Sequence, residues 1–196
     1  MRKYLVLLMI LSILALAACG KLEINTGKPV VNEENKTENE PNNDETVGNE
    51  QGLKLQVLQG DEEIGVTVEN NQFYSELDKV IQQYPNMGAK NDFTVYIVNA
   101  YRDDSGNPKL VLLGINRLPV AIKNIEFIYT LGNKNNEYVW ERQPIEMTEE
   151  KAGVLQPNSA LPIVLSITEE QLELLKSLEE DNKVMTIDGF TYEEVK

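Results

Sequence analysis

From residue 53 onward the apolar positions follow two periods. Leu53, Leu55 and Val57 alternate with polar residues, which is the period-2 pattern of a half-buried strand. Gln59-Gly60-Asp61 then reads as a turn, and Ile64–Val68 as the returning strand of a hairpin. The period changes after Asn70 and Asn71, either of which can cap a helix. Phe73, Leu77, Val80, Ile81 and Tyr84 share one helical face, and Pro85 ends it. That face reads as core packing rather than a ligand groove.

The rest is dominated by strands. Phe93–Tyr101 and Lys109–Ile115 flank a turn at Asp103-Asp104-Ser105-Gly106-Asn107. Pro119 precedes Val120–Leu131, Gly132–Asn136 is a turn, and Tyr138–Arg142 carries the only tryptophan, Trp140. A loop at Leu155–Ser159 leads into Leu161–Ile167. Thr168 with Gln171 three residues later forms a capping box for a helix over Glu169–Leu178. Val184–Ile187, Asp188-Gly189 and Phe190–Val195 predict a closing hairpin. Short strands with frequent turn signals predict a mainly β domain with two short helices, folded as an antiparallel β-sandwich.

The first twenty residues belong to another class. Met1-Arg2-Lys3 is a basic start, and Tyr4–Ala18 is uncharged and apolar. This is the form of an export signal. It is short for a membrane span, which needs about 20 apolar residues. The run ends Leu16-Ala17-Ala18-Cys19, and Cys19 is the only cysteine of the chain. These four residues resemble the lipobox of bacterial lipoproteins. The resemblance implies a signal peptide over 1–18, recognised through Leu16, Ala17 and Ala18. It implies a diacylglyceryl group in thioether linkage to Cys19 and cleavage just before it. Two acyl chains hold a protein firmly to a bilayer where one does not. The expected location is the extracytoplasmic face of the cell membrane.

Residues 19–52 then form an acidic tether. Between Gly20 and Gly52 there are three lysines against eight acids, two prolines and almost no apolar residue after Val31. Such a segment cannot bury enough surface to offset chain entropy. Its 33 residues span roughly 110 Å when fully extended, and about 30 Å as a flexible coil. The remaining residues, 53–196, are long enough to enclose a core.

Within that domain, Tyr96–Asn107, Leu110–Leu118, Ile122-Lys123-Asn124-Ile125-Glu126 and Leu155–Ile163 resemble the SLAP domain of S-layer assembly proteins from Bacillus-like bacteria. The shared pattern is a strand ending in Asn, a strand with I-x-N-I, and an L-x-P-x-S turn into a strand, covering about residues 85–167. The resemblance implies an extracytoplasmic, non-enzymatic domain of a Gram-positive bacterium. In more general terms it implies an Ig-like sandwich. The pattern occurs once here, whereas assembly proteins often carry it twice.

Composition narrows the chemistry. With 18 basic and 32 acidic residues the formal net charge is −14, which argues against nucleic acid as a partner. The chain has no histidine, so Ser-His-Asp and Cys-His catalysis and His-ligated zinc are excluded. A single cysteine excludes an internal disulfide and a CxxC site. Asp103, Ser105 and Asn107 begin like a calcium loop, but Pro108 and Gly114 stand where glycine and glutamate are required, so a turn is the better reading. Paired acids such as Glu62/Glu63, Glu149/Glu150 and Glu169/Glu170 are sequence neighbours; on a strand, neighbours point to opposite faces. Trp140 reads as a core ring before it reads as a sugar platform. No cofactor, metal or catalytic residue is therefore expected. The expected function is a binding or assembly module for an exported protein, an S-layer-type protein or a cell-wall polymer. A hydrolase working by carboxylates alone and a small-ligand-binding lipoprotein are the alternatives.

Overall fold

The computed structural model describes residues 52–196. Two sheets pack face to face. The first is ordered β1-β6-β3-β2 and the second β5-β4-β7. In chain order the strands are β1 (Lys54–Leu55), β2 (Phe93–Arg102), β3 (Pro108–Asn116), β4 (Ile122–Asn133), β5 (Tyr138–Met147), β6 (Ser159–Ser166) and β7 (Lys183–Glu194). The helices are α1 (Gln59–Glu62), α2 (Gln72–Gln83), α3 (Glu149–Ala152) and α4 (Glu169–Ser177). The chain is thus a mainly β sandwich. The two helices expected from the sequence are α2 and α4, and α1 and α3 are single turns that pack against each other.

Strand β3 lies at the centre of the packing. Leu110 and Leu112 enter the core between the sheets with Phe127, Tyr129, Leu131, Leu161 and Trp140. Val111, Leu113 and Ile115 point to the opposite face, where they meet Leu77 and Ile81 of α2. Burial on both faces is why LVLLGI is an unbroken apolar run rather than an alternating one. Each aliphatic side chain fully buried this way contributes about 1.5–3 kcal/mol. Asn71 caps α2, its Oδ1 accepting from Phe73 N at 2.9 Å. The predicted box at α4 is formed in both directions: Gln171 N donates to Thr168 Oγ1 at 3.2 Å, and Thr168 N donates to Gln171 Oε1 at 2.8 Å.

Two expected hairpins are absent, and both are corrections to the sequence reading. Residues 64–68 form no strand. Thr67 and Asn70 bond each other's backbone N–H groups, and Asn70 Nδ2 donates to Gly65 O at 2.8 Å. These local bonds occupy groups that a strand ladder needs, and Ile64 is left 77% exposed. Strand β1 instead pairs parallel with β6, Lys54 opposite Ser159, so the sandwich is antiparallel everywhere except at this short edge. At the other end, Val184–Val195 does not fold back. β7 is one strand running along β4, and Asp188-Gly189 is a bulge, not a turn: Ile128 faces Asp188 while Glu126 faces Thr191. Gly189 adopts φ +61°, a conformation that costs glycine little and lets the strand absorb the extra residue.

Candidate functional site

Several polar residues of the SLAP-like pattern tie together the loops around the end of β3 and the start of β6, and they hold the fold. Asn116, fully buried, donates through Nδ2 to Val120 O, Leu155 O and Gln156 O at 2.9–3.3 Å, and its Oδ1 accepts from Leu118 N at 2.9 Å. Arg117 donates to Pro85 O, Met87 O and Asn158 Oδ1 at 2.7–3.1 Å. Asn124, at φ +47°, accepts from Glu149 N at 2.8 Å. Ser159 is buried at the start of β6, and Leu155 is fully buried. Every one of these polar side chains is engaged with backbone or a neighbouring side chain, as buried polar groups must be.

The features considered for chemistry are structural too. Trp140 is 7% exposed and lies in the core, its ring centroid 6.3 Å from that of Tyr129. Asp103 closes the β2–β3 turn: its Oδ1 accepts from Ser105 N and Asn107 N at 3.0 and 2.9 Å, and Lys109 Nζ sits 3.4 Å from its Oδ2. The bond from Asn107 is the chief reason its carboxyl is held below the ordinary range. Glu169 is likewise held low, mainly by Arg102, which grips it with two bonds of 2.6 and 2.9 Å. Among the described residues no group of three or more acids or cysteines is placed to hold a metal ion, and no helix is long and apolar enough to cross a membrane.

What the fold does leave open is a cleft of about 290 Å³ between strands β2 and β7. These are edge strands of different sheets. Among the described residues β2 pairs only with β3, and β7 only with β4. The cleft is walled by Phe93 and Val95 from β2 and by Met185, Ile187 and Phe190 from β7, with Tyr129 also on its lining. The rings of Phe93 and Phe190 stack across it, centroids 4.8 Å apart and nearly parallel. Asp92 is the one carboxylate on the lining, and its Oδ1 accepts from Phe93 N at 2.8 Å. A glycosidase needs two carboxyl groups across such a space. The Tyr129 hydroxyl is buried without a hydrogen-bond partner among the described residues, and burial alone pushes its pKa well above the usual phenol range, so it stays protonated.

No sequence signal marked this cleft, because it arises from which strands end up at the sheet edges. Val184–Val195, read as a hairpin, would have supplied its own second strand; as a single strand it leaves an edge. The predicted lipid-attachment residue Cys19 and its recognition residues Leu16, Ala17 and Ala18 lie outside the described residues, as does the tether. Comparison with protein-family models, with curated proteins and with solved structures gave no match.

Proposed function

We propose that the chain is a lipid-anchored lipoprotein of the extracytoplasmic membrane face, and that its sandwich is a non-catalytic binding or assembly module. Diacylglyceryl-Cys19 roots it in the bilayer, and residues 20–52 give it reach. The observation that carries the binding half of this reading is the β2 edge, unpaired on one side among the described residues, beside a cleft of mixed apolar and polar walls. Such an edge takes up an extended segment by strand addition: main-chain bonds supply affinity and the neighbouring cleft selects side chains. The partner is an exported or S-layer-type protein, or a wall polymer. The acidity of the chain favours one that is basic or bridged by calcium.

The cleft also favours a second reading, a small-ligand lipoprotein. Its volume is at the lower end of pockets that hold small molecules, and its walls join apolar side chains with the polar groups of Asp92, Thr94 and Thr186.

Two measurements separate the halves. Replacing Cys19→Ala should move the protein from the membrane fraction to the medium or to unprocessed precursor. Mass spectrometry of the native chain should show acylated Cys19 at the mature terminus, and an unmodified thiol there would remove the anchor. For binding, amide hydrogen exchange along β2 should slow when solubilised envelope is added to the purified chain. Unchanged exchange on β2 and around the cleft would sink the strand-addition reading.

A further inference from the structure

Strand β7 is complementary to itself. Its inward side chains are Met185 and Ile187 before the bulge and Phe190 and Tyr192 after it, all packed on the sandwich core. Thr186 and Asp188 before the bulge, and Thr191 and Glu193 after it, are exposed. The bulge therefore resets the alternation at the middle of the strand. Turned end for end about a point between Asp188 and Gly189, the strand places inward residues opposite inward ones: Met185 faces Tyr192 and Ile187 faces Phe190. Thr186 faces Thr191 on the outer side. At each end Lys183 meets Glu194.

We propose that two copies of this chain pair antiparallel along β7 in this register, joining two three-stranded sheets into one of six strands. A two-fold axis makes every contact occur twice. The pairing supplies the missing partner for an edge of twelve residues that carries no proline. It matches opposite charges at both ends, and directly opposed aromatic, aliphatic and threonine pairs stabilise a sheet. Near the axis each Asp188 faces Gly189 of the other copy, where a side chain would meet nothing within 4 Å, so the two carboxylates have room to turn to solvent. Copies rooted in one bilayer meet at high effective concentration, so a weak pair suffices there. That last step rests on the anchor proposed above; the pairing itself does not.

The test uses the full chain carrying Cys19→Ala, which leaves no other cysteine. Sedimentation should show a concentration-dependent monomer–dimer equilibrium. Lys183→Glu sets acid against acid at both ends and should weaken the dimer about tenfold. Adding Glu194→Lys should restore it to within about twofold of the unsubstituted chain. Thr186→Cys together with Thr191→Cys should give a disulfide-linked dimer under mild oxidation, because directly opposed strand residues lie within disulfide range. Thr186→Cys alone should not, since its two copies stand five positions apart. A chain that stays monomeric at millimolar concentration overturns the proposal. So does a charge swap that fails to rescue, or a single cysteine that links as fast as the pair. Thr186, Thr191 and Glu194 are exposed and Lys183 is half-exposed, so loss of the fold does not confuse the outcome.

Discussion

The two flanks of the sandwich are finished differently. On one flank α4 lies along β5. Leu172 and Leu175 enter the core between the sheets, and Gln171, besides completing its helix cap, sends Nε2 to the carbonyl of Val139. The turns α1 and α3 pack together nearby, and Gln56 next to β1 bonds Val154 O and Gln156 N at 3.0 and 2.7 Å. The Val139 carbonyl on the β5 edge thus has a partner on this side. On the other flank β2 and β7 end the two sheets with no covering element among the described residues, and the core thins into a cleft. The same composition of strands thus yields a sealed side and an open side. The difference lies in where the helices fall, not in the strands themselves.

That contrast has measurable consequences. Leu172→Ala on the sealed flank should cost about 2–5 kcal/mol of stability in denaturant unfolding, as cavity formation in a closed core does. Ile187→Ala on the open flank should cost less than half of that, because its side chain is only partly buried and the cleft can relax around it. Equal losses would mean that the open flank is as well packed as the other. Tyr129→Phe should leave stability unchanged or raise it by about 1 kcal/mol, since it removes a buried hydroxyl without a partner. A clear loss would show that this hydroxyl has a partner beyond the described residues.

The smallest effect concerns acid. Arg102 lowers the Glu169 carboxyl below its ordinary 4.5. A carboxyl depressed in the folded state contributes stability above the unfolded value, and loses it as pH falls through the folded one. Thermal midpoints should therefore drop on acidification below about pH 4.5, and Arg102→Ala should flatten that drop slightly. The pair is solvent-exposed, so its share is small.

Much of the fold was legible because its causes are local. The cap at Asn71, the box at Thr168 and Gln171 and the stop at Pro85 act within a few residues. The unbroken apolar run of β3 states its own two-sided burial. The misreadings share one cause. Ile64–Val68 and Phe190–Val195 have acceptable strand patterns, but pattern does not say which strand is the partner. Glu63–Asn71 spends its polar groups on itself, so β1 turns to β6. β4 is long enough to hold all of β7, so Asp188-Gly189 bends the strand where a hairpin was expected. The polar residues of the SLAP-like pattern also change meaning in place. Asn116 and Asn124 tie loops together, which spacing alone did not reveal.

By itself the sequence determined the kinds of element, their caps, the lack of imidazole and disulfide chemistry, and the position of the one sulfur nucleophile after an apolar run. Those follow from side-chain chemistry and short-range sterics. Only the tertiary structure decided which strands became edges and which flank the helices covered. Both depend on contacts between residues far apart in the chain, such as Gln171 with Val139 and Lys54 with Ser159. The cleft between β2 and β7 and the self-complementary edge of β7 are products of that second kind of choice.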